Sequence, residues 1–328
     1  MHDYDIYAIG AALVDTEVEV TDNFLAEHSI DKAVMTLVEQ PRQAELISSL
    51  KKNDSTLLKQ SGGSACNSVV AAAQLGSVTY FGGKIADDED GTLYADDLTQ
   101  AGVSHAFMPS EHGVTGKCLV MVTPDAERTM NTYLGVSDEF AENEIDQSAL
   151  AKSEWFYVEG YLQTDDPRTT VVKAAVEFAK QQGVKVALSL SDPFVAQLFG
   201  DNLKSVIGDG VDLIFCNKDE ALAFTGADTI DQASKELKTY SASFVITDGA
   251  KGATVFDGKT LLQVPGVKAK AIDTNGAGDM FAGAFLYAIT SGKSYQKAAQ
   301  LANQAAAKVV ERFGPRLDKA DFESLKIN

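Results

Sequence analysis

Between residues 155 and 256 the chain alternates short apolar runs with helix-length amphipathic segments, and this alternation limits the fold more than any other feature. Residues 155–158 read as a strand and 167–182 as a helix closed by Gly183. Strands follow at 184–190 and 211–216, a helix at 218–224, a strand at 244–247 and the first arm of a hairpin at 252–256, with long helices beginning at Asp279 and Ser294. A parallel strand pair needs a crossover, and a helix is the usual one, so repeated strand–helix units predict a mostly parallel sheet covered by helices on both faces. The expected class is α/β with a doubly wound sheet, and its ligands belong beyond the carboxyl ends of the strands.

The N-terminal third adds a variation. Residues 6–10 are an apolar run ending in glycine, as expected of a buried first strand, whereas residues 14–20 alternate apolar and polar side chains like a strand with one wet face. A second alternating zone spans 115–130. Two such antiparallel-looking zones predict a small β-sheet lid built from 14–40 and 109–135, set against a large α/β domain of 1–13, 41–108 and 136–328. No internal repeat or low-complexity tract interrupts the chain, and only 7 of 328 residues are proline, so nothing marks a hinge between independent domains.

Composition narrows the partners. The chain is 45% hydrophobic and 23% charged, with 28 Lys+Arg against 47 Asp+Glu and a formal net charge of −19. So acidic a surface repels phosphodiester backbones and argues against nucleic acid. A polyanionic ligand would need a locally positive site made of backbone amides, a metal ion and a few basic side chains. The start, Met1-His2-Asp3-Tyr4-Asp5, lacks the basic and apolar regions of a signal peptide. No apolar run reaches membrane-spanning length, and a cytoplasmic protein is expected. Cys66, Cys118 and Cys216 are too widely spaced for a zinc site and read as reduced, mostly buried thiols.

Three clusters carry chemistry. The first is Asp273-Thr274-Asn275-Gly276-Ala277-Gly278-Asp279, followed at once by a helix-like run. A glycine-rich turn opening a helix leaves backbone N–H groups unpaired at the positive end of the helix dipole, where an anion binds. Asp279 is then either an ordinary N-cap or a base beside a bound phosphate. Phe281 and Ala282 stand where a dinucleotide fingerprint needs its third glycine, which disfavours a dehydrogenase. The second cluster is Gly62-Gly63-Ser64-Ala65-Cys66-Asn67 before an alanine-rich helix. Here the glycines allow close approach of a ligand, or of the sheet, and Asn67 offers a donor and an acceptor to a diol or caps the helix. In the third, Asn217 and Glu220 lie one turn apart at a strand–helix junction, as hard oxygen donors for a hydrated Mg²⁺ or as a plain helix start.

Taken in order along nearly the whole chain, these three segments resemble the motif set of the PfkB (ribokinase-like) family of carbohydrate and nucleoside kinases. The resemblance implies that Asp279 is the general base toward an attacking CH₂OH group and that Gly276, Ala277 and Gly278 form the anion hole. It implies ATP and Mg²⁺, with Asn217 and Glu220 holding the metal through water. Thr247, Gly249 and Gly252 would form the ATP-side loop, and Asn303 would border the adenine. A K⁺ ion is implied near Asp273, Thr274 and the Arg312-Phe313-Gly314 turn. Arg128 matches a lid arginine that reaches the phosphates.

Asp15, Gly62, Gly63 and Asn67 match the positions that grip the sugar. The text around residues 10–15 and 22–25, together with Asn275, resembles the adenosine-kinase-like branch. Tyr161 matches an aromatic that stacks on a purine, with Leu13 and Met35 as apolar walls. Ala11 departs from the family, where Asn is frequent. The resemblance thus implies phosphorylation of the 5′-hydroxyl of a ribonucleoside, adenosine first, by a monomer or a homodimer. A kinase for free ribose or fructose and a non-catalytic nucleoside or sugar sensor are the alternatives.

Overall fold

A computed structural model describes residues 2–52, 57–125 and 127–325. Among these residues the strands are β1 (Tyr4–Ile9), β2 (Leu13–Glu19), β3 (Met35–Leu37), β4 (Leu58–Gly62), β5 (Thr79–Gly82), β6 (Val103–Ser104), β7 (Gly116–Val122), β8 (Arg128–Tyr133), β9 (Ser153–Val158), β10 (Lys185–Ser189), β11 (Val211–Asn217), β12 (Ser241–Thr247), β13 (Gly252–Phe256) and β14 (Leu261–Pro265). They form a nine-stranded sheet in the order β14-β13-β12-β11-β10-β9-β1-β5-β6 and a five-stranded sheet in the order β3-β8-β7-β2-β4. From β6 to β12 every neighbouring pair of the larger sheet is parallel, and β13 and β14 close it with the antiparallel hairpin expected at 252–256. The class is α/β, a large mostly parallel sheet with a smaller one.

Alternation along each strand of the larger sheet divides its side chains between two cores. On β9, Trp155 and Tyr157 face a core shared with helices Ser64–Leu75, Ala277–Thr290 and Tyr295–Val309. Phe156 and Val158 face the other, which is covered by helices Asp166–Gln181 and Lys218–Thr225. Each large side chain buried this way contributes ~1.5–3 kcal/mol, so both faces read as apolar in the sequence.

One packing contact determines where the site will be. A Cβ on Gly283 would lie 2.2 Å from the carbonyl oxygen of Ser68, so only glycine lets helix Ala277–Thr290 lie directly on helix Ser64–Leu75. The N-terminal turns of the two helices are thereby brought side by side.

The smaller sheet differs from expectation in three ways. First, the polar face of β2 is wet only at its end, Glu19: the strand lies between β4 and β7, and Asp15, Thr16 and Glu17 are all buried. Its alternation separates an apolar face on the helices, with Val18 packed beside Leu46 and Leu50, from a face turned toward Asn275 of the anion loop. Second, β2 and β7 pair in parallel, not antiparallel, with Asp15 opposite Cys118 and Glu17 opposite Val120. Third, β4 belongs to this sheet although 41–108 was assigned to the large domain, because Leu58–Gly62 pairs antiparallel with β2. All three cysteines are free and buried, as expected. No helix among the described residues is long and apolar enough to cross a membrane.

Candidate active site

Helix Ala277–Thr290 starts two residues before Asp279, where the sequence places its beginning. Its N-cap is Gly276 at φ 70°, and no side chain caps it. A Cβ on Gly276 would lie 2.4 Å from that of Pro315, so the tight turn demands glycine twice over. Around Gly278, by contrast, there is open space. The first-turn N–H groups have no intrahelical acceptor and face this opening with the positive end of the dipole.

Asp279 is therefore not the N-cap. It sits on the third residue of the helix, and its carboxylate turns sideways to the neighbouring helix. Ser64 Oγ donates to its Oδ1 at 2.6 Å and Asn67 Nδ2 to its Oδ2 at 3.2 Å. Burial raises its pKa, and the bonds from Ser64 and Asn67 and the charges of Arg128 and Arg316 pull it back. A carboxylate of raised basicity is suited to taking a proton.

Asn67 is held from behind. Arg316 Nε donates to its Oδ1 at 3.3 Å, while Arg316 Nη1 pairs with Asp97 at 2.8 Å and Nη2 bonds Ser61 Oγ at 2.7 Å. With the amide oxygen committed to Arg316, the NH₂ group must point at Asp279.

Gly62 and Gly63 make room on the same side. A Cβ on Gly62 would lie 2.1 Å from Asp15 Cγ, and one on Gly63, at φ 92°, would lie 2.2 Å from the Ala11 carbonyl oxygen. Asp15 is 5% exposed and its carboxylate has no hydrogen-bond partner among the described residues. Burial, then the charge of Glu17, push its pKa well up. Such a group has acceptor capacity left for the hydroxyl donors of a ligand. Ala11 lends the site only backbone: its N–H donates to Glu159 Oε1 at 3.2 Å. Glu159 Oε2 accepts from Ala65 N at 2.8 Å and so caps helix Ser64–Leu75, where Gly63 supplies no side chain. Burial pushes Glu159 up to about 7.

Glu220 and Asn217 make a reciprocal capping box. Asn217 N donates to Glu220 Oε2 at 3.0 Å, Asn217 Nδ2 donates to Oε1 at 2.6 Å, and Glu220 N donates back to Asn217 Oδ1 at 2.9 Å. Glu220 is buried, its pKa is pushed up to about 7, and Asp192 and Asp279 add to the rise. Three like charges around one crevice are relieved by a cation, and a carboxylate whose oxygens already accept hydrogen bonds suits a metal held through water. Among the described residues no group of three acidic, His or Cys side chains is gathered for direct ligation.

Arg128 Nη1 donates to Asn275 Oδ1 at 3.2 Å and to the Thr274 carbonyl at 3.5 Å, which brings β8 to the rim of the anion loop. Asp273, fully buried, accepts from Asn275 N at 2.8 Å and from Gly314 N at 3.0 Å, stapling the loop to the Arg312-Phe313-Gly314 turn. This geometry gives Asp273 a structural task.

Tyr161 packs on the core that holds Leu162, with its hydroxyl donating to Asp192 Oδ2 at 3.4 Å. Leu13 and Met130 pack on Cys118 and Val120, and Met35 pairs with Met130, so the inner face of the smaller sheet is apolar beside Asp15. Thr247 ends β12, and Gly249 follows in open space at φ 50°. Gly252 is at φ 100°, where a Cβ would lie 2.1 Å from the Val264 carbonyl oxygen. Asn303 Nδ2 is taken by the Val264 and Pro265 carbonyls, at 3.3 and 3.1 Å.

Five side chains of the candidate site receive no role in the sequence reading: Ser64, Glu159, Glu17, Asp192 and Arg316. Two had a signal. Glu17 lies two residues after Asp15 and so on the same strand face, and Glu159 follows a strand's carboxyl end directly.

The model of the pfkB family carbohydrate kinases matches residues 28–321. The chain belongs to this family. Adenosine kinase of Saccharomyces cerevisiae is 28% identical to this pfkB kinase, across 94% of this chain and 96% of the yeast protein. Ribokinase of Haemophilus influenzae is 32% identical, over 77% of this chain and 82% of its own. Among solved structures, adenosine kinase from Sinorhizobium meliloti superposes with a TM-score of 0.90 at 32% identity, covering 98% of both chains. As a kinase of this family, the protein uses ATP and a small-molecule acceptor.

Proposed function

We propose that this pfkB kinase transfers the γ-phosphoryl group of ATP to the 5′-hydroxyl of a ribonucleoside, with adenosine the preferred acceptor. The observation that carries this reading is the double hydrogen bond of Asp279 to Ser64 and Asn67, which joins the anion loop to the Asp15–Gly63–Asn67 groove at one carboxylate.

In this reading Asp15 and Asn67 hold the ribose hydroxyls, and the apolar inner face of the smaller sheet, with Leu13 and Met35, walls the base. Tyr161 offers an aromatic surface beside it. The smaller sheet acts as a lid that carries Arg128 to the phosphates. Thr247, Gly249, Gly252 and Asn303 border the ATP side. As the acceptor oxygen bonds to the γ-phosphorus, the bond from phosphorus to the β,γ-bridging oxygen breaks and ADP leaves. Asp279 takes the hydroxyl proton, and the amides of Gly276, Ala277 and Gly278 face the charge on the migrating group. Mg²⁺, held through water by Asn217 and Glu220, would neutralise the phosphates.

End-to-end similarity to two adenosine kinases, against partial coverage by ribokinase, favours the nucleoside. The sugar-kinase reading is kept alive by the higher identity of ribokinase, 32% against 28% for the yeast adenosine kinase. A panel of adenosine, inosine, guanosine, ribose and fructose, assayed for ADP release, decides. The expected kcat/KM for adenosine exceeds that for ribose by about 10²-fold or more, since a site built for polar and stacking contacts rejects a ligand lacking them. A preference for ribose or fructose overturns the assignment. Tight nucleoside binding with no turnover of any acceptor points to a sensor instead.

A further inference from the structure

Asn275 is a bridge within the turn. Its side chain is 7% exposed and its two ends are used in opposite senses: Nδ2 donates to Glu17 Oε1 on β2 at 2.9 Å, and Oδ1 accepts from Arg128 Nη1 on β8 at 3.2 Å. Its backbone N–H is pinned separately, to Asp273. The amide therefore ties two strands of the smaller sheet to the anion loop of the larger body.

We infer that Glu17 is a positioning residue: through Asn275 it holds Arg128 at the rim of the anion loop, and so couples the smaller sheet to phosphoryl transfer. The kinetic part of this inference rests on the reading above.

The physical case starts from cost. Glu17 is 1% exposed, and Asn275 is the one hydrogen-bond partner of its carboxylate among the described residues. A buried carboxylate beside the charge of Asp273 is expensive, and an apolar residue opposite Val120 on β7 and Leu58 on β4 would fill the strand more cheaply. What the carboxylate supplies is direction. An amide has one acceptor end and one donor end, and either could face Arg128. A carboxylate against one side forces NH₂ toward itself and the oxygen toward the guanidinium. Without it, the turned amide presents N–H to a cation and Arg128 loses its anchor.

The anchor leaves the arginine usable. Both contacts, to Asn275 Oδ1 and to the Thr274 carbonyl, are made by Nη1, so Nη2 and Nε remain for an incoming phosphoryl oxygen. The charge of Arg128 also bears on the carboxylates of Asp279 and Glu220, which it helps to hold down. Glu17 touches none of the reacting groups: its charge bears on Asp15, and its one side-chain hydrogen bond runs through Asn275.

The test is a mutant cycle with an exchange readout. Glu17→Leu, with Glu17→Gln as a milder second variant, is combined with Arg128→Gln. Glu17→Leu is expected to lower kcat about 10-fold while the acceptor KM changes less than about 3-fold, the size of one lost hydrogen bond to a charged group. The double variant is expected to be no slower than Arg128→Gln alone, since both remove the same contact. Losses that multiply, or an unchanged kcat in Glu17→Leu, overturn the inference. Hydrogen exchange in the absence of substrate is independent of acceptor identity. Residues 128–133 should exchange faster in Glu17→Leu, or in Glu17→Gln should the first fail to fold, with residues 295–309 unchanged. Unaltered exchange at 128–133 also overturns it. If no tested acceptor is phosphorylated by the wild type while the exchange difference persists, the functional reading fails and the coupling stands.

Discussion

Ser64 and Asp279, 215 positions apart in the chain, share a hydrogen bond of 2.6 Å from Oγ to Oδ1. The contact exists because Gly283 lets two helices touch, so that a residue on the first turn of one reaches the first turn of the other. It also sets the acidity of the candidate base. Burial raises the pKa of Asp279, and Ser64 is the largest influence holding it down.

Replacing Ser64 by Ala should therefore raise the Asp279 pKa further. A base works deprotonated, so kcat rises with pH through its pKa, and the acid limb of the kcat–pH profile in Ser64→Ala should move to higher pH than in wild type. Asp279→Asn should cost ~10²–10⁴-fold in kcat at every pH while ATP affinity stays within about 3-fold. An acid limb that stays in place, or an Asn variant of near-normal rate, removes Asp279 from the role of base.

Gly62→Ala is expected to damage the acceptor side selectively. Its Cβ would sit 2.1 Å from Asp15 Cγ, and Asp15 must leave its buried position. The acceptor KM should rise about 10-fold or more, with the KM for ATP nearly unchanged. Equal effects on both substrates would show that Asp15 does not belong to the acceptor subsite.

Stability should fall as the medium becomes more basic. Glu17, Glu159 and Glu220 are each pushed from an ordinary 4.5 up to about 7 by burial. Between those values the folded state binds more protons than the unfolded one, so the stabilisation present below about 4.5 is lost as pH rises through about 7. Each carboxylate accounts for roughly 1–3 kcal/mol. Chemical denaturation of the ligand-free protein should give a lower unfolding free energy at pH 8 than at pH 5.5. The opposite slope would mean that these carboxylates are not held in apolar surroundings.

Glu159 allows a separate check. Each of its oxygens accepts from a different backbone N–H, those of Ala11 and Ala65. Glu159→Gln must turn an NH₂ against one of them, at a cost of about 1–3 kcal/mol for a buried donor left unpaired. Amide exchange at Ala11 and Ala65 no faster in Glu159→Gln than in wild type would rule out this double acceptance.

Local order decided what the chain disclosed on its own. The strand–helix alternation, the buried strands β1 and β9–β12 and the glycine turns at Gly62–Gly63 and Gly276–Gly278 are legible because each is encoded within a few neighbouring residues: apolar period, breaker, glycine. Pairing and burial are not local. That β4 joins β2, that β2 runs parallel to β7, and that Glu17 faces the anion loop and not water depend on chain segments tens to hundreds of residues away. The partners of Asp279 show the division most clearly. Its place after a glycine turn was written in the sequence, but Ser64, Asn67 and Arg316 reach it only because close helix packing and the final turn bring distant backbone together, and it is their hydrogen bonds and charge that turn a possible cap into a possible base.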